Sequence, residues 1–207
     1  MFKKLFNLNK LYSIIFYLSI LTFIIAFGFA HNPPGGWYQQ FMPNIGNRSI
    51  SDIFFLDSLT GWAVTPYIDL DDTAYVLKTN DGGDNWEIKY TRTGAVGFTR
   101  IYFLDSAVGF VCGANDAFGY KGLSKSTDGG INWIQLNVPD QFVQFDDISV
   151  LNEDTIWLVS RSSTGGVFRT TNGGANWQRQ LNLFGQNPNS IYMYNRDIGF
   201  ISNVTQL

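Results

Sequence analysis

Histidine and cysteine are nearly absent from this chain: His31 and Cys112 are the single examples of each in 207 residues. One cysteine excludes an intrachain disulfide. One histidine removes the Ser-His-Asp and Cys-His constellations and any His-based zinc or iron centre. Cys112 stands where sibling repeats carry Val64 and Val159, so it reads as a small, buried apolar residue. Glutamate is almost as scarce, occurring only as Glu87 and Glu153. Helical periodicity is missing after residue 30, and the Gly-Gly pairs lie between short strands rather than opening helices. That excludes a Walker-type phosphate loop and a dinucleotide fingerprint. What remains is carboxylate chemistry or no chemistry, and no cofactor is expected.

Residues 1–30 are a different kind of sequence. Lys3, Lys4 and Lys10 precede an uncharged apolar run from Leu11 to Ala30 that ends in Gly28-Phe29-Ala30. Small residues there suit cleavage before His31, as in a signal peptide. The run is also long enough to span a bilayer as a retained anchor. Either way the body, residues 31–207, is expected to be exported: secreted, periplasmic or at the cell surface. Membrane contact is expected only through this segment if it stays uncleaved. Removing its three lysines takes the formal charge from −3 to −6. An acidic body without a basic stripe argues against nucleic acid as a partner.

What the body does have is a phrase repeated three times. It reads Thr79-Asn80-Asp81-Gly82-Gly83-Asp84-Asn85-Trp86, then Ser126-Thr127-Asp128-Gly129-Gly130-Ile131-Asn132-Trp133, then Thr170-Thr171-Asn172-Gly173-Gly174-Ala175-Asn176-Trp177, with the tryptophans 47 and 44 residues apart. Each copy sits between two β-branched or apolar runs, which predicts a β-hairpin. The glycines supply positive φ, and the Asp or Asn caps the turn's own amides. The closing Trp covers the hairpin's apolar face. This Ser/Thr-x-Asp-Gly-Gly-x-x-Trp pattern resembles the Asp-box of the bacterial neuraminidase repeat, which forms a turn on the rim of a β-propeller blade. Asp81, Asp128 and Asn172 are therefore read as turn caps without a chemical role.

Two further phrases precede each hairpin. The first runs Ile53-Phe54-Phe55-Leu56-Asp57-Ser58, Ile101-Tyr102-Phe103-Leu104-Asp105-Ser106, Ile148-Ser149-Val150-Leu151-Asn152-Glu153 and Ile191-Tyr192-Met193-Tyr194-Asn195-Arg196. The second runs Gly61-Trp62-Ala63-Val64, Gly109-Phe110-Val111-Cys112, Ile156-Trp157-Leu158-Val159 and Gly199-Phe200-Ile201-Ser202. Such short, continuously apolar runs suit strands buried on both faces. Four strands per unit of about 40–50 residues make a propeller blade. The expected fold is all-β, a β-propeller of four-stranded antiparallel blades at 53–90, 101–137 and 148–181, with a fourth starting at 191–207. Residues 37–41 read as a ring-closing outer strand. Propellers use about four to eight blades, so three and a half leave the ring incomplete, and the chain is expected to be a piece of a longer protein.

Strand alternation puts the first-to-second and third-to-fourth turns, hence the Asp-boxes, at one end of each blade. The second-to-third loops and the blade connections share the other end, where binding sites on this architecture usually lie. Its candidate surface comprises Tyr67, Asp69, Asp71, Asp72, Arg92, Asp116, Phe118, Tyr120, Phe142, Phe145 and Arg161. Aromatic and polar groups interleaved on loops over a rigid scaffold suit recognition of a protein or a glycan. Asp69, Asp71 and Asp72 also have the chemistry to ligate calcium, but their spacing matches no established loop, and no metal site is assigned.

The full repeat, with Ile-x-Phe-Leu-Asp-Ser, Gly-Trp-Ala-Val and Thr-x-Asp-Gly-Gly-x-x-Trp in order, resembles the photosystem II assembly (stability) factor-like propellers of the sialidase-like superfamily. The resemblance covers essentially everything after the leader. It implies an exported, non-enzymatic factor that assists assembly; the same domain occurs in secreted proteins of non-photosynthetic bacteria. A second reading is a sialidase-like glycoside hydrolase or glycan-binding propeller. Resemblance to sialidases would require three converging arginines, from among Arg48, Arg92, Arg100, Arg161 and Arg196, together with a Tyr-Glu nucleophile pair and an acid. The Phe/Tyr-Arg-Ile-Pro phrase of sialidases is missing. A third reading is a structural module of a larger secreted surface protein.

Overall fold

The repeated apolar phrases become the inner strands of successive antiparallel sheets. A computed structural model describes residues 39–66, 73–94, 97–115, 121–138, 144–160, 165–183, 186 and 188–203. The chain divides into two units, Met1–Gln39 and Gln40–Leu207; of the first, only Gln39 is among the described residues. Sheet 1 contains β1 (Asp52–Phe55), β2 (Gly61–Val64), β3 (Thr73–Thr79) and β4 (Glu87–Thr93). Sheet 2 contains β5 (Phe98–Phe103), β6 (Gly109–Asn115), β7 (Lys121–Ser126) and β8 (Ile134–Gln135). Sheet 3 contains β9 (Asp147–Val150), β10 (Ile156–Ser160), β11 (Gly166–Thr170) and β12 (Gln178–Asn182). A two-stranded hairpin follows, β13 (Pro188–Met193) and β14 (Gly199–Asn203). In every sheet the strands lie in chain order. This is a partial β-propeller, and no helix occurs among the described residues.

In each four-stranded sheet the fourth strand is the most exposed. β2 and β10 are buried along their whole length, whereas β8 and β12 are exposed throughout. The first strands β1, β5, β9 and β13 contact one another in succession, so they form the innermost layer and the fourth strands the outermost. The register repeats as well: Phe54 faces Trp62, and Trp62 faces Lys78. Tyr102 faces Phe110, and Phe110 faces Lys125. Phe55 lies across from Gly61, and Phe103 across from Gly109. A Cβ on Gly61 would come within 2.8 Å of the Phe55 ring. The glycine is therefore there to let an aromatic ring fold flat over its neighbour strand.

The core is distributed between the sheets. Trp62, Val64, Ala74 and Val76 of sheet 1 pack on Phe98, Ile101, Phe103 and Val111 of sheet 2. Phe110, Cys112 and Leu123 of sheet 2 pack on Ile148, Val150, Leu158 and Phe168 of sheet 3. Trp157, Val159 and Val167 then pack on Ile191, Met193 and Ile201 of the hairpin. Each large side chain so buried contributes about 1.5–3 kcal/mol, and each sheet owes its stability to its neighbours, as in other repeat arrays. Residues 37 and 38 of the expected ring-closing strand lie outside the described residues, and 39–41 carry no strand. In place of a ladder, the Gln40 side chain accepts from the Trp86 indole at 3.2 Å and donates to the Gly82 carbonyl at 3.3 Å. The leader, residues 1–30, also lies outside the described residues.

Candidate functional site

The three Asp-box turns share one bonding scheme. Thr79 Oγ1 accepts from the Gly83 amide at 2.9 Å and donates to Asp81 Oδ1 at 2.8 Å. Asp81 Oδ1 accepts the Asn85 amide, and Oδ2 the Asn85 side-chain amide, at 2.9 and 2.8 Å. Ser126 and Asp128 repeat this with Gly130 and Asn132. Thr170 and Asn172 repeat the backbone part with Gly174 and Asn176. Gly82 and Gly83 sit at φ +75° and +97°, a region that L-residues avoid. The Asn132 amides hold the Asp128 carboxyl down to about 2, and the Asn85 side chain lowers Asp81. Carboxylates so stabilised are poor proton acceptors. Because Asn172 serves equally, the turn needs an oxygen acceptor and no charge.

A second family of caps occupies the β1–β2 type turns. Asp57 Oδ1 accepts the Leu59 and Thr60 amides, each at 2.7 Å. Asp105, Asn152 and Asn195 do the same at their own turns. Gly82 N donates to Leu59 O, Gly129 N to Ala107 O and Gly173 N to Asp154 O, at 2.8–3.0 Å. The two turns of each sheet are thereby tied together at one end. The recurrent Asp or Asn after Leu56, Leu104, Leu151 and Tyr194 is the sequence signal for this set.

The opposite end carries the charged cluster. Asp52, Arg100, Asp147 and Ser190 each precede the repeated Ile at the start of an innermost strand. Asp52 Oδ2 accepts the Ile101 amide of the next sheet at 2.9 Å. Asp147 Oδ2 accepts the Ile191 amide at 2.8 Å and the Ser190 hydroxyl at 2.7 Å. Arg100 Nε lies 3.2 Å from Asp147 Oδ1. Burial raises the Asp52 carboxyl above its usual range, against the pull of the Ile101 amide and Arg100. Beside this cluster, Ser51 Oγ donates to Phe98 O and Thr99 Oγ1 to Phe145 O, both at 2.7 Å. These groups staple sheet to sheet around the axis, on the side where β2, β6 and β10 end. The sequence reading named Arg100 only among the arginines a sialidase would need and passed over Asp52, Asp147 and Ser190, although the position before each repeated Ile marks them.

Of the candidate surface, Tyr67, Asp69, Asp71, Asp72, Asp116, Phe118, Tyr120, Phe142 and Arg161 lie outside the described residues. Arg92 is half-buried on β4 opposite Ala74. Phe145 is a correction: it is fully buried and meets Phe168 edge-on at 6.5 Å, so it serves the interface between sheets 2 and 3. Its apolar ring gains more there than on a solvated loop. No group of three metal-ligating side chains occurs among the described residues. Glu153 pairs with Lys125 at 2.7 Å and Glu87 with Lys89. Arg100 lies within β5, two residues from its start, whereas Arg196 lies in the β13–β14 turn at the Asp-box end beside Asp197; these two arginines do not converge. Burial pushes the Cys112 thiol up to about 12, which leaves it inert as a nucleophile.

A groove opens between sheet 3 and the hairpin, lined by Trp157, Arg169, Gln180, Leu181, Met193 and Ile201. The Arg169 guanidinium lies 4.9 Å from the Trp157 ring centroid. Lys78 sits over Trp62 in the same way in sheet 1. There the Trp62 indole donates to Gly129 O of the neighbouring Asp-box at 3.0 Å. By repeat equivalence the groove is a place where sheets meet.

A family model described as photosynthesis system II assembly factor YCF48 matches residues 36–197. No curated protein matches the sequence. Among solved structures, YCF48 bound to D1 peptide is 24% identical, with 67% of this chain and 41% of that chain covered and a TM-score of 0.50. YCF48 from Cyanidioschyzon merolae is 25% identical, with 67% and 38% covered and a TM-score of 0.46. An ancestral GH74 enzyme is 18% identical, with 70% and 22% covered and a TM-score of 0.55. The chain spans about two fifths of the length of these YCF48 structures, and the likeness to the GH74 enzyme is one of fold.

Proposed function

Because the chain belongs to the photosynthesis system II assembly factor YCF48 family, we propose that it is an exported binding scaffold that recognises a segment of another protein and catalyses no reaction. The observation that carries this reading is the family match itself, which runs through all three complete sheets into the fourth. A YCF48 structure bound to a D1 peptide lends support, as a relative that holds a peptide. The photosynthetic process in that family's name is not carried over to this chain.

The contact surface in this proposal is the end opposite the Asp-boxes, with Tyr67, Asp69, Asp71, Asp72, Arg92, Asp116, Phe118, Tyr120, Phe142 and Arg161. Two physical points support a non-catalytic role. The carboxylates of Asp52 and Asp147 accept backbone amides, and both glutamates stand in ion pairs. A rigid array that presents loops needs only complementarity to bind. Export follows in this proposal from the basic start and apolar run of residues 1–30.

The test is a peptide array probed with the full chain, followed by titration of the best peptides. Tyr67→Ala and Tyr120→Ala are expected to weaken binding about tenfold each, the scale of a lost aromatic anchor. Turnover of a fluorogenic sialoside or a xyloglucan oligosaccharide, abolished by changing Asp69, Asp71 and Asp72 to Asn, would replace the scaffold reading with an enzyme.

A further inference from the structure

Asn172-Gly173 is the single Asn-Gly pair in the chain, and it stands where the first two Asp-boxes carry Asp81-Gly82 and Asp128-Gly129. A glycine after asparagine leaves its amide nitrogen unshielded by a side chain, and that nitrogen is the nucleophile when an asparagine cyclises to an imide. Asn172 is exposed. Its Oδ1 accepts from Thr170 Oγ1 at 3.0 Å and from the Asn176 amide at 2.8 Å. Two donors on one carbonyl oxygen polarise the carboxamide carbon toward attack.

The third turn also falls short of the first two in its bonding. There the second carboxylate oxygen accepts the side-chain amide of Asn85 at 2.8 Å or of Asn132 at 2.7 Å. With Oδ1 of Asn172 held by its two donors, Nδ2 occupies the place of that second oxygen, and an amide nitrogen cannot accept from the Asn176 side chain. What restrains the pair is Gly173 N, which donates to Asp154 O at 3.0 Å. An amide so bonded neither loses its proton nor turns toward Cγ until the turn opens locally. The turn rests on sheet 2, with Trp177 Nε1 donating to Asn137 O at 2.7 Å and Leu136 lying 3.4 Å from where a Gly174 side chain would begin.

We infer that Asn172 is a site of spontaneous deamidation, guarded by the bond from Gly173 to Asp154, and that the aspartate it yields completes the third Asp-box. The Gly173 nitrogen, its proton lost to hydroxide, bonds to Asn172 Cγ. The Cγ–Nδ2 bond breaks, and ammonia leaves with a proton from water, which regenerates the hydroxide. Water then opens the cyclic imide, so that one water is consumed for each ammonia released. Opening at Cγ gives aspartate, whose new oxygen accepts from the Asn176 side chain as Asp81 and Asp128 accept in their own turns. Opening at the main-chain carbonyl gives isoaspartate, which lengthens the main chain and puts the cap out of register. Deamidation thus adds a negative charge at the Asp-box end without altering the strands.

The experiment incubates the full chain in mildly alkaline buffer, folded in mild detergent and unfolded in guanidinium chloride, and follows the peptide containing Asn172 by mass spectrometry. The folded chain is expected to deamidate there at least about tenfold more slowly than the unfolded one, because attack waits on opening of the turn. Asn152→Ala loosens the turn that presents Asp154 O, since Asn152 Oδ1 accepts the Asp154 and Thr155 amides. It leaves the donors to Asn172 untouched and is expected to speed the folded reaction about threefold or more, the scale of a lost hydrogen bond. Asn172→Asp, the product made directly, is expected to raise the midpoint of urea unfolding. Equal rates in the folded and unfolded chain, or an Asn152→Ala rate no faster than the native one, would overturn the guard. No conversion of the unfolded chain while a short Asn-Gly peptide converts would overturn the site, and an unchanged or lowered midpoint for Asn172→Asp would overturn the completed turn.

Discussion

Replacing Trp62 tests whether the array is held between its sheets or within them. The ring is fully buried, stacked on Phe103 at 3.6 Å with an interplanar angle of 9°, and its indole donates to Gly129 O at 3.0 Å. All of these partners belong to the second sheet, whereas the strand ladders of sheet 1 would survive the change. Trp62→Ala removes a large aromatic from a site closed on both sides, for which about 3–5 kcal/mol is usual. Trp62→Phe keeps a ring on Phe103 but loses the donor to Gly129 O, costing about 1 kcal/mol. Loss of ring volume adds a further ~1 kcal/mol. With a urea slope of about 2 kcal/mol/M, the midpoint should fall by ~2 M for alanine and by ~1 M for phenylalanine. Far-UV circular dichroism is the proper probe, since tryptophan emission changes with the substitution itself. In a double-mutant cycle, Trp62→Ala with Phe103→Ala should reveal a coupling of about 0.5–1.5 kcal/mol. A shift below ~0.5 M for Trp62→Ala, or no coupling to Phe103, would refute the view that inter-sheet stacking carries this fold.

Two other expectations follow from groups whose protonation is displaced. The Asp128 carboxyl should titrate near 2 by carboxyl-carbon NMR, below the usual ~3.9. Its folded value lies below the unfolded one, so the stabilisation is present above about pH 4 and fades as pH falls through about 2. Asp128→Asn should keep the turn, as Asn172 does in the third copy, while removing that acid sensitivity; an unchanged acid limb would count against the assignment. Cys112, with its thiol pushed up to about 12, should react with an aromatic disulfide reagent at pH 8 only after denaturation. Rapid labelling of the folded chain would show that the second and third sheets do not seal it.

Sequence legibility differed between elements for a physical reason. Asp81, Asp128 and Asn172 could be read as caps because every atom they bond lies within four residues of them. Turn chemistry of that range is written in a single phrase. Phe145 was misplaced because an aromatic in a connection looks the same whether it faces solvent or the next sheet. Asp52 and Asp147 were missed, and Arg100 was named only as a possible sialidase arginine, because the set is chemically irregular at a regular position, with acid, base, acid and serine before the repeated Ile. Asp57, Asp105, Asn152 and Asn195 were in view inside a repeated phrase, yet their role appeared only with the amides they accept.

The sequence by itself determined what is local or periodic in this protein: short strands in groups of four, Gly-Gly hairpins capped by Asp or Asn, and inner strands too apolar to face water. Hydrophobic runs and turn residues suffice for this, because each acts within its own unit. Only the tertiary structure decided how the units meet. The Asp52 bond to Ile101 and the Asp147 bond to Ile191 join residues 49 and 44 positions apart, and the Trp62 bond to Gly129 spans 67. Such contacts depend on which face of each sheet turns toward its neighbour. Packing decides that face.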